Sequence, residues 1–226
     1  MLENMASFFD TRLDGYDAHM LDTIEGARDF YPFTASQLPA FPGAEILDLG
    51  CGTGLELDEY FACNPSARVT GIDLAPGMLD ALAKKFPGKS LCLTQGSYFD
   101  IPLGADAFDA AVSVESLHHF TAAEKLPLYR NLFSALRPGG WFVLTDYFAA
   151  TQEQQDFFRA ELMRLKALEG VDDGALYHYD TPLTVDNEIR VLTKAGFSRV
   201  DILKHWGATY TLKAMKEGAN LCSEPE

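Results

Sequence analysis

Three alternating glycines follow an acidic residue in Glu45-Ile46-Leu47-Asp48-Leu49-Gly50-Cys51-Gly52-Thr53-Gly54. An apolar run that passes into such a turn and then into helix-period sequence lets a ligand lie against backbone with no Cβ in the way. A second apolar run ends in Gly71-Ile72-Asp73-Leu74. A carboxylate at the end of a strand beside such a turn can accept hydrogen bonds from both hydroxyls of a ribose. A dinucleotide fingerprint needs its third glycine at the sixth place of the motif, which here is Leu55, so Gly54 comes one place early. The spacing suits an adenosine without a pyrophosphate.

Proton-transfer chemistry has two sources in the chain, Glu115-Ser116-Leu117-His118-His119 and Asp146-Tyr147, each placed just after an apolar run. Open α/β sheets collect their ligands at strand carboxyl ends, so His118, His119 and Asp146 are the candidate acid–base residues. A hydrogen-bonded structural role for either histidine is the competing reading. Tyr16 and His19 either close over a ligand or pack, and His178, between Tyr177 and Tyr179, is a candidate lining residue. No second histidine stands at metal-ligand spacing from His178, and no metal site is expected. Cys51 has no basic neighbour in sequence to make a thiolate and reads as a space-filler in the turn.

The elements that must position these groups alternate strand and helix from Glu45 onward, the pattern of a parallel sheet with crossover helices. Strands are predicted at Ala44 to Leu49, Arg68 to Asp73, Leu91 to Gln95, Ala110 to Val114 and Trp141 to Thr145. Helices are predicted at Leu55 to Ala62, Pro76 to Phe86 and Glu124 to Leu136, the last closed by a turn at Arg137-Pro138-Gly139-Gly140. A helix from Thr184 to Ala195 and an antiparallel hairpin of Ser198 to Leu203 with Thr209 to Ala214 complete a doubly wound, Rossmann-like, mostly parallel seven-stranded sheet. The expected organisation is an N-terminal helical cap over 1–40, broken at Gly15 and Pro32, and an α/β core over 41–150. A helical insert over 151–182, a C-terminal helix and hairpin over 183–217 and a tail over 218–226 follow.

The glycine spacing with Asp48 resembles motif I of the class I S-adenosylmethionine-dependent methyltransferases, small-molecule type, and Asp73 sits where their motif II ends. Thr94-Gln95-Gly96-Ser97-Tyr98, Phe108-Asp109-Ala110-Ala111-Val112 and Leu136-Arg137-Pro138-Gly139-Gly140 continue the resemblance in order across residues 42 to 146. The resemblance implies that S-adenosylmethionine is the cofactor. Asp48, Gly50, Cys51, Gly52 and Gly54 would hold its methionine end, Asp73 its ribose, and Leu74, Met78, Ser97 and Tyr98 its adenine, with Val114 a further cofactor-binding residue and Tyr16 closing over the cofactor. Many relatives carry an aspartate at the place of Ser97, so adenine recognition departs from the pattern there. Leu117-His118-His119 with Asp146 resembles the acceptor side of sugar and quinone O-methyltransferases.

The 226 residues carry 18 basic and 33 acidic side chains, a formal charge of −15 that repels phosphate backbones and anionic lipid. The expectation is a cytoplasmic enzyme that moves a methyl group to a small-molecule acceptor, without nucleic-acid or membrane partners. Four scattered cysteines fit free thiols, and the sequence holds no apolar run of spanning length. The competing readings are a tRNA modifier on the same fold, which would need a basic stripe, a non-catalytic cofactor-binding module, and a nucleotide-dependent dehydrogenase.

Overall fold

The computed structural model describes residues 1–171 and 175–218, so residues 172–174 and most of the expected tail lie outside the described residues. Strands β1 (Glu45–Leu49), β2 (Arg68–Asp73), β3 (Ser90–Gln95), β4 (Phe108–Val114) and β5 (Leu136–Tyr147) form the parallel part of the sheet. Strands β6 (Arg199–Trp206) and β7 (Thr209–Met215) close one edge as an antiparallel hairpin. The spatial order is β3-β2-β1-β4-β5-β7-β6, with β7 running antiparallel to β5. The chain order reverses between β1 and β4, and there the carboxyl ends of the strands open the crevice in which doubly wound sheets bind ligands.

Alternate residues feed the two faces of the sheet. Leu47, Leu49, Ile72 and Ala111 pack with α6 (Ala122–Ala135) and α8 (Val185–Ala195), while Ile46, Val69, Ala110 and Val112 pack with α3 (Ala27–Ser36), α4 (Leu55–Cys63) and α5 (Pro76–Lys85). Period-two alternation on a sheet covered on both faces leaves β1 buried along most of its length. A buried ion pair of Lys125 Nζ with Glu188 Oε2 at 2.6 Å, joined by the Tyr129 hydroxyl, pins α8 to α6.

Most predicted elements match within two residues, and the differences have local causes. The turn expected at 137–140 is a bulged stretch inside β5: Leu136 pairs with Phe108, and the register shifts before Ala110 pairs with Trp141. Gly139 takes φ +83° there. Thr121 caps α6 in a capping box with Glu124, which starts that helix at Ala122. Thr184 caps α8 by accepting from the Asn187 N–H, and Gly196 follows it at φ +124°. Pro32 does not break the N-terminal segment but lies within α3. The breaks fall at Gly15 and Gly26, at φ +83° and +80° ahead of α2 (Tyr16–Thr23) and α3.

The segment outside the sheet has two kinds of helix. In α3, Ala27, Phe30, Tyr31, Thr34 and Ala35 are buried, whereas α1 (Met5–Thr11) and α2 bury only Met5 and Met20. The insert helix α7 (Gln152–Glu169) buries none of its residues. Beyond it, a short strand Tyr177–His178 pairs with Glu3–Asn4 and ties the insert to the N-terminal segment. Among the described residues no helix is long and apolar enough to cross a membrane.

Candidate active site

The glycine turn and Asp73 build one cleft wall together. The Gly50 and Cys51 N–H groups donate to the Ile72 carbonyl, which fixes the turn against the end of β2. Asp73 Oδ2 then accepts from the Gly52 N–H at 2.9 Å and Oδ1 from the Ala75 N–H at 2.9 Å. Burial holds the Asp73 carboxyl above its usual range against the pull of these backbone donors. Gly50 (φ +73°) has no room for a side chain, since a Cβ would come within 2.0 Å of Ser116 Oγ. Gly52 differs, because a Cβ there would enter open space.

Of the residues singled out in the sequence, Tyr16, Gly50, Gly52, Asp73, Leu74, Met78, Tyr98, Val114 and His119 line this cleft together. Met5, Phe9, Glu115 and Ser116 also line it, although sequence spacing did not single them out as site residues. Asp48, Cys51, Gly54 and Ser97 do not line it. Asp48 is buried beneath the turn beside Glu56, and Cys51 fills the space against Gly71. Gly54 begins α4 under Phe86, and Ser97 Oγ accepts from the Phe99 N–H at 3.2 Å in its own loop. The Tyr98 hydroxyl lies 3.2 Å from Ser116 Oγ, which aligns the tyrosine ring along the cleft.

The cleft encloses about 50 Å³, whereas ligand pockets run to ~300–1,000 Å³. Its space is filled from above by Met5, Phe9 and Tyr16 of α1 and α2. Asp10 Oδ1 accepts from the Gly77 N–H at 2.9 Å, and Asp17 accepts from the Thr53 hydroxyl, so the same two helices are seated on the cleft rim.

Beside the cleft lies a cavity of about 750 Å³, lined by Phe8, Arg12, His118, Tyr147, His178 and Asp180 among others. Phe9, Tyr16, Glu115 and His119 face both spaces. Glu115, at φ +49°, is strained backbone for a non-glycine residue. Burial first, and then the Asp146 carboxylate, raise its side chain to about 7. Glu115 lies in sequence beside the histidines, and a perturbed carboxyl at a strand end would have marked it.

Asp146 belongs to β5 and is fully enclosed. It accepts from the Leu117 and Tyr147 N–H groups at 2.9 Å each, and its Oδ1 lies 2.6 Å from His118 Nδ1. Burial lowers His118, but Asp146 and then Asp180 outweigh it and hold the imidazole well above its usual value. Burial and the neighbouring His118 push His119 down to about 4. The His119 Nδ1 lies 3.2 Å from Asp180 Oδ1, a partner from the insert that no local motif marks. Phe8 stacks on His178 with ring centroids 3.5 Å apart.

A sheet in this order, with backbone and carboxylate groups gathered at the carboxyl ends of β1 and β2, defines a doubly wound nucleoside-binding fold. Residues 46–140 match the family model of a methyltransferase domain. Over that stretch the chain is similar to the class I S-adenosylmethionine-dependent methyltransferases. The erythromycin 3''-O-methyltransferase of Saccharopolyspora erythraea is 30% identical over 108 residues, which are 46% of this chain and 35% of that protein. The tRNA (carboxymethyluridine(34)-5-O)-methyltransferase of Saccharomyces cerevisiae is 29% identical over 112 residues, 49% of this chain and 38% of its own length. Human N-acetylserotonin methyltransferase, solved in complex with S-adenosylmethionine, shares the fold at a TM-score of 0.62 and 18% identity, over 94% of this chain and 55% of that one. The chain spans 19%, 35% and 56% of the length of three curated relatives it matches.

S-adenosylmethionine is the cofactor of the methyltransferases that the chain resembles, and the cleft residues fit it. Asp73 retains lone pairs for ribose hydroxyls, and the open space over Gly52 is a cradle that any side chain would fill. Met5, Phe9 and Tyr16 of α1 and α2 line the same space.

Proposed function

We propose that the protein transfers the methyl group of S-adenosylmethionine to an oxygen or nitrogen of a small molecule held in the cavity beside the cleft. The observation that carries this reading is the junction: Phe9, Tyr16, Glu115 and His119 face both the cofactor cleft and the cavity. When bound, S-adenosylmethionine supplies a methyl on a sulfonium centre, which needs no acid to leave. The chain's task is then to align an acceptor in line with that methyl, keep water out and receive one proton. Asp73 and the Gly52 backbone hold the nucleoside, while the Phe9 and Tyr16 rings exclude water from the junction. Glu115 takes the acceptor's proton on its carboxylate, which a neighbouring sulfonium cation keeps ionised. His118, oriented by Asp146, and His119 hold the acceptor from the far side.

The similarity to a tRNA methyltransferase names a second acceptor class. The formal charge of −15 and the acidic Glu115 and Asp180 in the cavity favour an uncharged or cationic small acceptor instead. Incubation with methyl-labelled cofactor, separately with a metabolite extract and with total tRNA, decides between them. Label in small molecules, reduced ~10²-fold or more by Glu115→Gln with binding of the demethylated product retained, is the expected result. Label in tRNA alone overturns the small-molecule reading.

A further inference from the structure

We propose that His118, His119 and Asp180 form a binding site for one divalent transition-metal ion at the acceptor side of the cavity. The three residues come from two places in the chain. The histidines sit on the 3₁₀ turn Leu117–His119 that follows β4, and Asp180 sits on the loop after the insert helix. Asp180 Oδ1 lies 3.5 Å from His118 Nε2 and 3.2 Å from His119 Nδ1, and all three atoms fall within 4.8 Å of one another. Ligand atoms held ~2.1 Å from an ion are about 3.0 Å apart in an octahedral arrangement and about 3.4 Å apart in a tetrahedral one. The separations of Asp180 Oδ1 from the two histidine nitrogens fall around these values.

The surroundings complete the argument. Asp146 Oδ1 lies 2.6 Å from His118 Nδ1 and so turns His118 Nε2 toward Asp180, the carboxylate–histidine arrangement that orients metal ligands. Asp146 itself is occupied by the Leu117 and Tyr147 N–H groups, so it supports the histidine and does not ligate. The Thr181 N–H donates to the His118 carbonyl at 2.9 Å and fixes the loop that carries Asp180 against the turn.

Two imidazoles and one carboxylate on one face favour Zn²⁺, Fe²⁺ or Co²⁺ over Mg²⁺ and Ca²⁺ and leave adjacent positions open. Those positions lie toward the cavity and suit an acceptor with two neighbouring oxygens, such as a vicinal diol or a hydroxy-ketone. This last step alone rests on the methyl-transfer reading; the metal site does not.

The test uses the full chain stripped of metal by chelation, titrated with Zn²⁺ by calorimetry and with Co²⁺ by visible absorption. One ion per chain is expected. Asp180→Asn and His119→Gln should each weaken binding at least ~10-fold, and Asp146→Asn, which touches no ion, by ~10–100-fold with a changed Co²⁺ spectrum. Asp180 is a half-exposed loop residue, so its variant keeps the circular dichroism of the parent even if the buried His119 variant does not. No saturable binding overturns the proposal. Binding unaffected by Asp180→Asn, or a Co²⁺ spectrum dominated by thiolate from Cys63 or Cys92, overturns it equally, as does displacement of Zn²⁺ by equimolar Mg²⁺. Tight metal binding by a protein that labels no acceptor leaves the site standing and sinks the methyl-transfer reading, so the two failures are distinguishable.

Discussion

The backbone N–H of Gly52 donates to Oδ2 of Asp73 at 2.9 Å, so the turn after β1 and the end of β2 hold each other in place. The remaining lone pairs of the carboxylate are then aimed by the turn. Removing the carboxylate loses the ribose acceptors and unties the turn together. Asp73→Ala is expected to weaken binding of the demethylated cofactor by ~1.5–3 kcal/mol, about 10- to 150-fold. Calorimetric titration reads the loss, and tighter binding of NAD than of the sulfonium cofactor would count against the family's ligand in this cleft.

Gly52 and Ser97 make an ordered pair of variants. A branched side chain at Gly52 enters the open space of the cleft and resists φ +47°, whereas Ser97 Oγ is already engaged by the Phe99 N–H outside the cleft lining. Gly52→Val should abolish cofactor binding, and Ser97→Ala should change it less than ~5-fold, the loss of at most one neutral hydrogen bond. Equal losses in two folded variants would move the cofactor away from the glycine turn.

How far the sequence reaches can be judged from these same residues. Strand runs, glycine spacing and Asp73 are local patterns, so the order of elements and one cleft wall are legible before any fold is known. Met5, Phe9 and Asp180 are not, because each reaches the site across the fold from a segment with no motif of its own. The placement of Asp48 shows the reverse case. It is an acidic residue in the right motif, yet strand alternation turns its side chain into the sheet's covered face, away from the cleft. Arg137 to Gly140 read as a turn by composition, but pairing with β4 made a bulge of them.

Asp48 and Glu56, both almost fully buried, share the space beneath the turn, and neither Asp48 oxygen meets a conventional donor among the described residues. Burial raises both carboxyls, Glu56 to about 7. The folded protein therefore keeps protons that the unfolded chain releases above its ordinary carboxyl range. A proton bound more tightly in the folded state makes stability fall as pH rises, here from about 4.5 toward 7, by roughly 3 kcal/mol for Glu56 alone. Asp48→Asn removes one member and gives Glu56 an amide donor. The variant's melting temperature should drop less between pH 5 and pH 8 than that of the parent, and parallel profiles would deny the pair this role.

The last expectation concerns the helices over the cleft. Met5, Phe9 and Tyr16 line the cleft, whose volume of about 50 Å³ is far below the ~300–1,000 Å³ of ligand pockets, so cofactor binding is expected to lift α1 and α2. They are held by polar groups and partly exposed contacts, among them the Asp10 and Asp17 carboxylates, the Glu3–Asn4 strand pair and the Phe8–His178 stack, with Met5 and Met20 their buried residues. By contrast, α3 buries Phe30 and Tyr31 in the core and has no reason to move. The energetic difference predicts a cover hinged at Gly26, which separates the two parts at φ +80°. Hydrogen exchange should show amides of residues 5–23 opening readily without ligand and slowing when the demethylated cofactor binds, while residues 28–36 exchange slowly in both states. If residues 5–23 are as slow alone as with ligand, α1 and α2 are permanent core, and the cofactor must reach Asp73 by another route.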